Sequence, residues 1–115
     1  MSLITDFYEV IMASSKEYLD FVLEMCGGLS ARAMMGEYVL YYGGKVVGGI
    51  YDNRLLVKPV PSAVAMLPDA PRELPYEGAK EMLLIEDVEN SALLCELFDK
   101  MFEELPEAKK RKQTS

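Results

Sequence analysis

The chain of 115 residues contains no histidine. That absence removes Ser-His-Asp and Cys-His catalysis and every His-containing zinc site. It contains two cysteines, Cys26 and Cys95, too few for a four-cysteine zinc site. Each sits among apolar residues of a predicted helix. The expectation for a cytosolic chain is a pair of reduced, buried thiols. A disulfide stays open, because the sequence gives no distance between them. No run approaches the ~20 apolar residues of a membrane span. No basic segment precedes a small-residue cleavage site, so the cytoplasm is the expected compartment and no membrane contact is predicted. Positive charge is also scarce in the body. The net formal charge is −7, and Lys109, Lys110, Arg111 and Lys112 supply four of the twelve basic residues. Residues 1–108 hold the other eight and all nineteen acidic residues, a balance of −11. Such a body repels a phosphate backbone. Direct nucleic-acid binding is expected only weakly, through the basic tail, whose plainer role is a solvated C-terminus.

Half of the residues are hydrophobic, and the length is that of one domain able to bury a core without disulfides or metal. Residues 1–13 read as an N-terminal extension, in which Phe7, Val10 and Ile11 share one helical face and Met12 is a second candidate start. Residues 14–106 read as the domain, and 107–115 as a basic, disordered tail. In "SSKEYLDFVLEMCGG", Ser14 and Glu17 have capping-box spacing, Tyr18, Val22 and Met25 form an apolar stripe, and Gly27-Gly28 supply a left-handed stop.

The stretch "MMGEYVLYYGGKVVGGIYDNRLLVK" decides the fold class. A phosphate loop of the Walker type would need glycine at position 39 and a hydroxyl residue at 46, where valines stand. The dinucleotide fingerprint fails too, because the glycines fall in adjacent pairs. Gly43-Gly44 and Asp52-Asn53 instead read as two-residue hairpin turns, with Gly36-Glu37 a weaker third. They punctuate four strands, about 31–35, 38–42, 45–51 and 54–58. Tyr38, Leu40 and Tyr42 face one way, Val39 and Tyr41 the other; in the next strand Val46 and Ile50 oppose Val47 and Tyr51. One face packs on helices and the other, still partly apolar, needs a cover. Gly48-Gly49 within a strand predicts a bulge or close approach by a backbone or ring.

Five of the six prolines fall between Pro59 and Pro75, in an ordered crossing loop with a short helix over 62–66 capped by Ser62. Met82 to Ile85 form a fifth strand. Leu94, Leu97, Phe98, Met101, Phe102 and Leu105 give the last helix, started by Asp87, Glu89 or Asn90 and ended by Pro106. Glu103 and Glu104 read as solvated, Met34, Met35, Met66, Met82 and Met101 as core filler. No acidic cluster has the spacing of a calcium loop.

The ordered set "SSKEYLDFVLEM", "ARAMMGEYVLYYGGKVVGGIYDNRLLVKP" and "LPYEGAKEMLLIEDVEN" resembles the N-terminal domain of the TfoX/Sxy competence regulators over residues 14–105. Arg32, Met34, Gly36, Tyr38, Tyr42, Gly44, Lys45, Leu55 and Lys58 occupy the matching places, while Met35 and Val57 replace a usual phenylalanine and leucine. The resemblance implies an α+β fold, an antiparallel sheet of about five strands with N- and C-terminal helices on one face, similar to secretion-chaperone-like domains. It implies no catalytic residues, cofactor or metal, and regulation of competence or transcription through protein contacts. The family's C-terminal domain has no counterpart in this chain.

The expected function is therefore a non-enzymatic protein-interaction domain, a homodimer, with its protein partner unnamed. Arg32, Glu37, Tyr38, Tyr41, Tyr42, Tyr51 and Lys58 are its candidate interaction surface. The alternative is a small-ligand-binding domain or enzyme that gathers Tyr, Arg and Lys groups in a cleft.

Overall fold

Residues that adopt left-handed backbone geometry set the ribbon's three reversals. In the computed structural model, which describes residues 15–107, strands β1 (Leu29–Met34), β2 (Glu37–Tyr42), β3 (Lys45–Tyr51) and β4 (Arg54–Val57) form an antiparallel meander. Gly43 and Gly44 turn with φ of 58° and 88°, and Asp52 and Asn53 with 55° and 56°. Both central residues have positive φ, as the tight turns that match strand twist require. The first reversal lies one residue earlier than its expected Gly36-Glu37. Met35 (φ 52°) and Gly36 (φ 87°) make it, and Glu37 already pairs with Met34.

The other elements are helix α1 (Lys16–Leu23), helix α2 (Pro61–Met66), strands β5 (Arg72–Glu73) and β6 (Met82–Ile85), and helix α3 (Ser91–Phe102). The sheet order is β1-β2-β3-β4-β6-β5, antiparallel throughout. The fold class is α+β, as expected. The extra strand is the two-residue β5, too short to carry an alternating pattern. The N-terminal extension, and the basic tail from residue 108 on, lie outside the described residues.

The starts of α1 and α2 differ by one or two residues from expectation, while α3 is started by Asn90, one of its expected residues. Ser15 caps α1, its Oγ accepting from the Tyr18 amide at 3.1 Å, whereas Ser14 lies outside the described residues. Helix α1 ends at Leu23, before Gly27-Gly28, in a tightened turn where the Met25 amide donates to the Val22 carbonyl. Asn90 caps α3 by accepting from the Leu93 amide. Ser62 does not cap α2, which starts at Pro61. Its amide and hydroxyl both donate to the Glu104 carboxylate, so a residue expected to be solvated clips α3 to the first turn of α2. Those two bonds lower the Glu104 pKa from its ordinary value.

The helices cover one face of the sheet. Leu19 and Val22 of α1, with Leu94, Leu97, Phe98 and Met101 of α3, bury against Leu40, Val47, Ile50, Leu55, Val57, Leu83 and Ile85. Burial of each large side chain contributes about 1.5–3 kcal/mol. A bulge lies between the Leu40–Gly48 and Tyr41–Val46 pairs, leaving Val47 without a partner on β2. That extra residue exchanges the expected faces: Val47 joins Ile50 in the core, and Val46 turns to the open side with Tyr51. Three methionines expected in the core are outside it: Met34 at 44% and Met35 at 97% exposure, because both sit at the tip of the first hairpin, and Met82, because alternation along β6 gives the core to Leu83 and Ile85 and turns Met82 to the open side.

Cys26 and Cys95 form a disulfide, with Cα atoms 5.4 Å apart, which corrects the expectation of free thiols. The turn after α1 brings Cys26 against the second turn of α3, and the Ser91 hydroxyl donates to the Met25 carbonyl beside it. The bond spans 69 residues. Constraint of a loop that long in the unfolded chain contributes about 4 kcal/mol. Urea unfolding with and without reductant should show a loss of that order, and Cys26→Ser with Cys95→Ser should remove the dependence on reductant. Equal midpoints in both conditions would contradict the bond.

Candidate functional site

Strand register divides the candidate residues between two faces. Tyr38 and Tyr42 point to the helices. Tyr42 packs on Phe98 and Phe102, with ring centroids 5.6 and 6.3 Å away, and its hydroxyl donates to Asp99. That bond, then burial, raises its pKa. Lys45 closes the same corner, donating to the Phe102 carbonyl at 3.0 Å with its ammonium 4.1 Å from the ring centre. Glu37 secures the β3–β4 turn by accepting from the Asp52 amide at 3.1 Å. Arg32, Tyr41, Tyr51 and Lys58 belong to the open side. Arg32 is exposed beside the edge and Tyr41 is half-buried.

The structure gathers Tyr51 and Lys58 in a cleft of about 480 Å³ on that open side. Its floor is Val39, Val46 and the Gly48 backbone, and its wall is the crossing segment from Pro75 to Met82. Glycine is needed in the floor. A Cβ on Gly48 would overlap the Leu56 carbonyl, and one on Gly49 would stand 2.6 Å from both the Tyr38 carbonyl and the Tyr51 ring. The bulge and the close approach read from the glycine pair are both present. With no side chain at 49, the Tyr51 ring lies down on the sheet and is buried.

Arg54 holds the wall. Its Nη1 pairs with Glu73 at 2.8 Å and donates to the Leu74 carbonyl at 3.2 Å, while Nη2 donates to the Pro75 carbonyl at 3.4 Å. The planar fork reaches all three acceptors, which a lysine could not. Tyr76 then meets Tyr51 edge-on, ring centroids 6.0 Å apart, within the range of favourable aromatic pairs. Burial, with lesser effects from Tyr76 and Glu37, raises the Tyr51 pKa, so its hydroxyl stays a donor at neutral pH. Arg54, Tyr76 and Lys80 were absent from the candidate set. Tyr76 and Lys80 lie between the last proline of the crossing loop, Pro75, and β6, in a run with no periodicity, and only the fold carries them back over the sheet. Among the described residues, no three His, Cys, Asp or Glu side chains are grouped to hold a metal ion.

Over 84 residues the chain is 38% identical to the "Uncharacterized 12.7 kDa protein in trpE 5'region" of Spirochaeta aurantia, covering 70% of this chain and 73% of that protein. The chain belongs to that protein's family. No family model matches it, and no solved structure does.

Arg54→Ala should release the wall. The expected result is a loss of about 2 kcal/mol, the order of hydrogen bonds to a charged group, with faster amide exchange over residues 74–81; unchanged exchange there would refute the anchoring role. Tyr51 sets an alkaline limit. Its folded pKa lies above the ordinary 10.0, so the folded state holds that proton more tightly. The associated stability is complete below pH 10 and lost as pH rises through the raised value. Stability measured against pH should therefore fall above pH 10, and Tyr51→Phe should make that fall shallower, leaving the share of Tyr18 and Tyr42, whose values are raised too.

Proposed function

We propose that the chain is a non-enzymatic protein-interaction domain that pairs with a second copy along β1. The observation that supports this is the first hairpin. Strand β1 is a six-residue edge whose outer side meets no other strand among the described residues. It carries exposed Arg32, Ala33 and Met34 and leads into exposed Met35. An edge of this length is a template for strand addition, since its outward amides and carbonyls need partners. Two copies meeting antiparallel about a two-fold axis would extend the sheet and make the contact self-complementary. The methionines suit such a surface, because an unbranched thioether repacks against varied neighbours.

The resemblance to the TfoX/Sxy N-terminal domain supports a regulatory role, in competence or transcription, exerted through such contacts. The proposal is independent of compartment, as a bond like Cys26–Cys95 is rare in a reducing cytosol. No helix among the described residues is long and apolar enough to cross a membrane.

Size-exclusion chromatography with light scattering should give twice the chain mass. Met34→Lys with Met35→Lys, both at exposed positions, should shift the protein to monomer while its circular dichroism is unchanged. A monomer at high concentration before any substitution would overturn the proposal.

A further inference from the structure

The cleft under the crossing segment is separate from the β1 edge and has its own chemistry. Its volume of about 480 Å³ lies within the range of small-molecule sites. Most of its lining is apolar, with Val39, Val46 and Met82 beside the Tyr51 and Tyr76 rings. Two cations stand in it, half-buried Lys58 and exposed Lys80. Neither has an ion pair among the described residues, whereas Arg54 nearby is held by Asp52 and Glu73. The acidic side chain in the lining is Glu81. The cleft thus inverts the sign of a body that carries −11 over residues 1–108, and a concavity with low-dielectric walls focuses that local field.

We propose that this cleft binds a small apolar monocarboxylate, its hydrocarbon body on the valines and tyrosine rings and its carboxylate between Lys58 and Lys80. An apolar body answers the lining, and one negative charge answers two cations opposed by one carboxylate. A dianion would set its second charge against Glu81 or the apolar floor, at a desolvation cost. A neutral molecule would leave both ammonium groups unanswered. The Tyr51 hydroxyl, protonated at neutral pH, supplies a further donor beside the floor. The site does not depend on the β1 contact, since none of these residues belongs to β1.

Calorimetric titration of the full-length protein with decanoate and naphthoate, and with decanol as the neutral control, tests this. At least one acid should bind saturably at one site per chain, with decanol at least tenfold weaker. Lys58→Gln with Lys80→Gln should weaken the acid by about tenfold or more, the scale of a charge-assisted hydrogen bond, and leave decanol unchanged. Ring resonances of Tyr51 and Tyr76 should shift on addition of the acid. Saturable heat from neither acid, as a cleft filled by another part of the chain or by a second copy would give, would overturn the assignment. So would equal affinity for acid and alcohol, or full affinity in the double variant.

Discussion

The constraint on which this architecture turns is the space left by two missing side chains in the middle of β3. At Gly48 the β4 backbone approaches so closely that any Cβ would collide with it. At Gly49 the Tyr51 ring occupies the volume a side chain would take. Next to them, the unpaired Val47 shifts the alternation of β3 by one residue. Together these features send Val47 and Ile50 into the helix-packed core and lay Tyr51 flat on the other face. Strand interiors seldom accept glycine, because it loses more conformational entropy than other residues and packs nothing. Here the cost is offset by a buried aromatic ring and a strand seated at close range.

From that ring the rest of the open side follows. Tyr51 offers an edge to Tyr76, and Arg54, three residues along, reaches the carbonyls of Leu74 and Pro75. The end of the crossing segment, residues 74–82, is thereby fastened over the open side of the sheet, leaving a cleft where the apolar floor is not filled. The part toward β1 has no such cover among the described residues. The two parts therefore differ in what they can receive: a small molecule under the segment, and a strand along the edge. Meanwhile the helix side is tied at its corners by Glu104 to Ser62, Lys45 to Phe102, and Cys26 to Cys95.

The meander was legible because its turns are written in residue chemistry: Gly-Gly and Asp-Asn tolerate positive φ, and apolar runs flank them. The long final helix was legible from the spacing of Leu94, Leu97, Phe98, Met101 and Phe102, but it ends at Phe102, short of the expected Leu105 and Pro106. The glycine pair announced a bulge or a close approach, and both occur, but the bulged residue was not identifiable. Val46 and Val47 are chemically identical, so nothing local says which one is left unpaired. Met35 was misplaced because apolarity argues for burial, whereas the reversal needed a residue at the tip. The disulfide and the Glu104–Ser62 clip join residues 69 and 42 positions apart, distances that only tertiary packing sets. Of the cleft, Tyr51 and Lys58 were visible as a polar and aromatic concentration. Tyr76, Lys80 and Arg54 were not, since their role depends on a loop with no repeating pattern.

Unfolding of Gly49→Ala by denaturant tests the central constraint most directly. An alanine in a strand ordinarily gains a little stability over glycine, about 0.5–1 kcal/mol. The added Cβ here meets the Tyr38 carbonyl and the Tyr51 ring at 2.6 Å. The predicted result is a loss of about 2 kcal/mol or more, in the range of overpacked cores, together with loss of the Tyr51–Tyr76 ring contact in proton spectra. A variant as stable as the parent, or more so, with that contact retained would contradict the account.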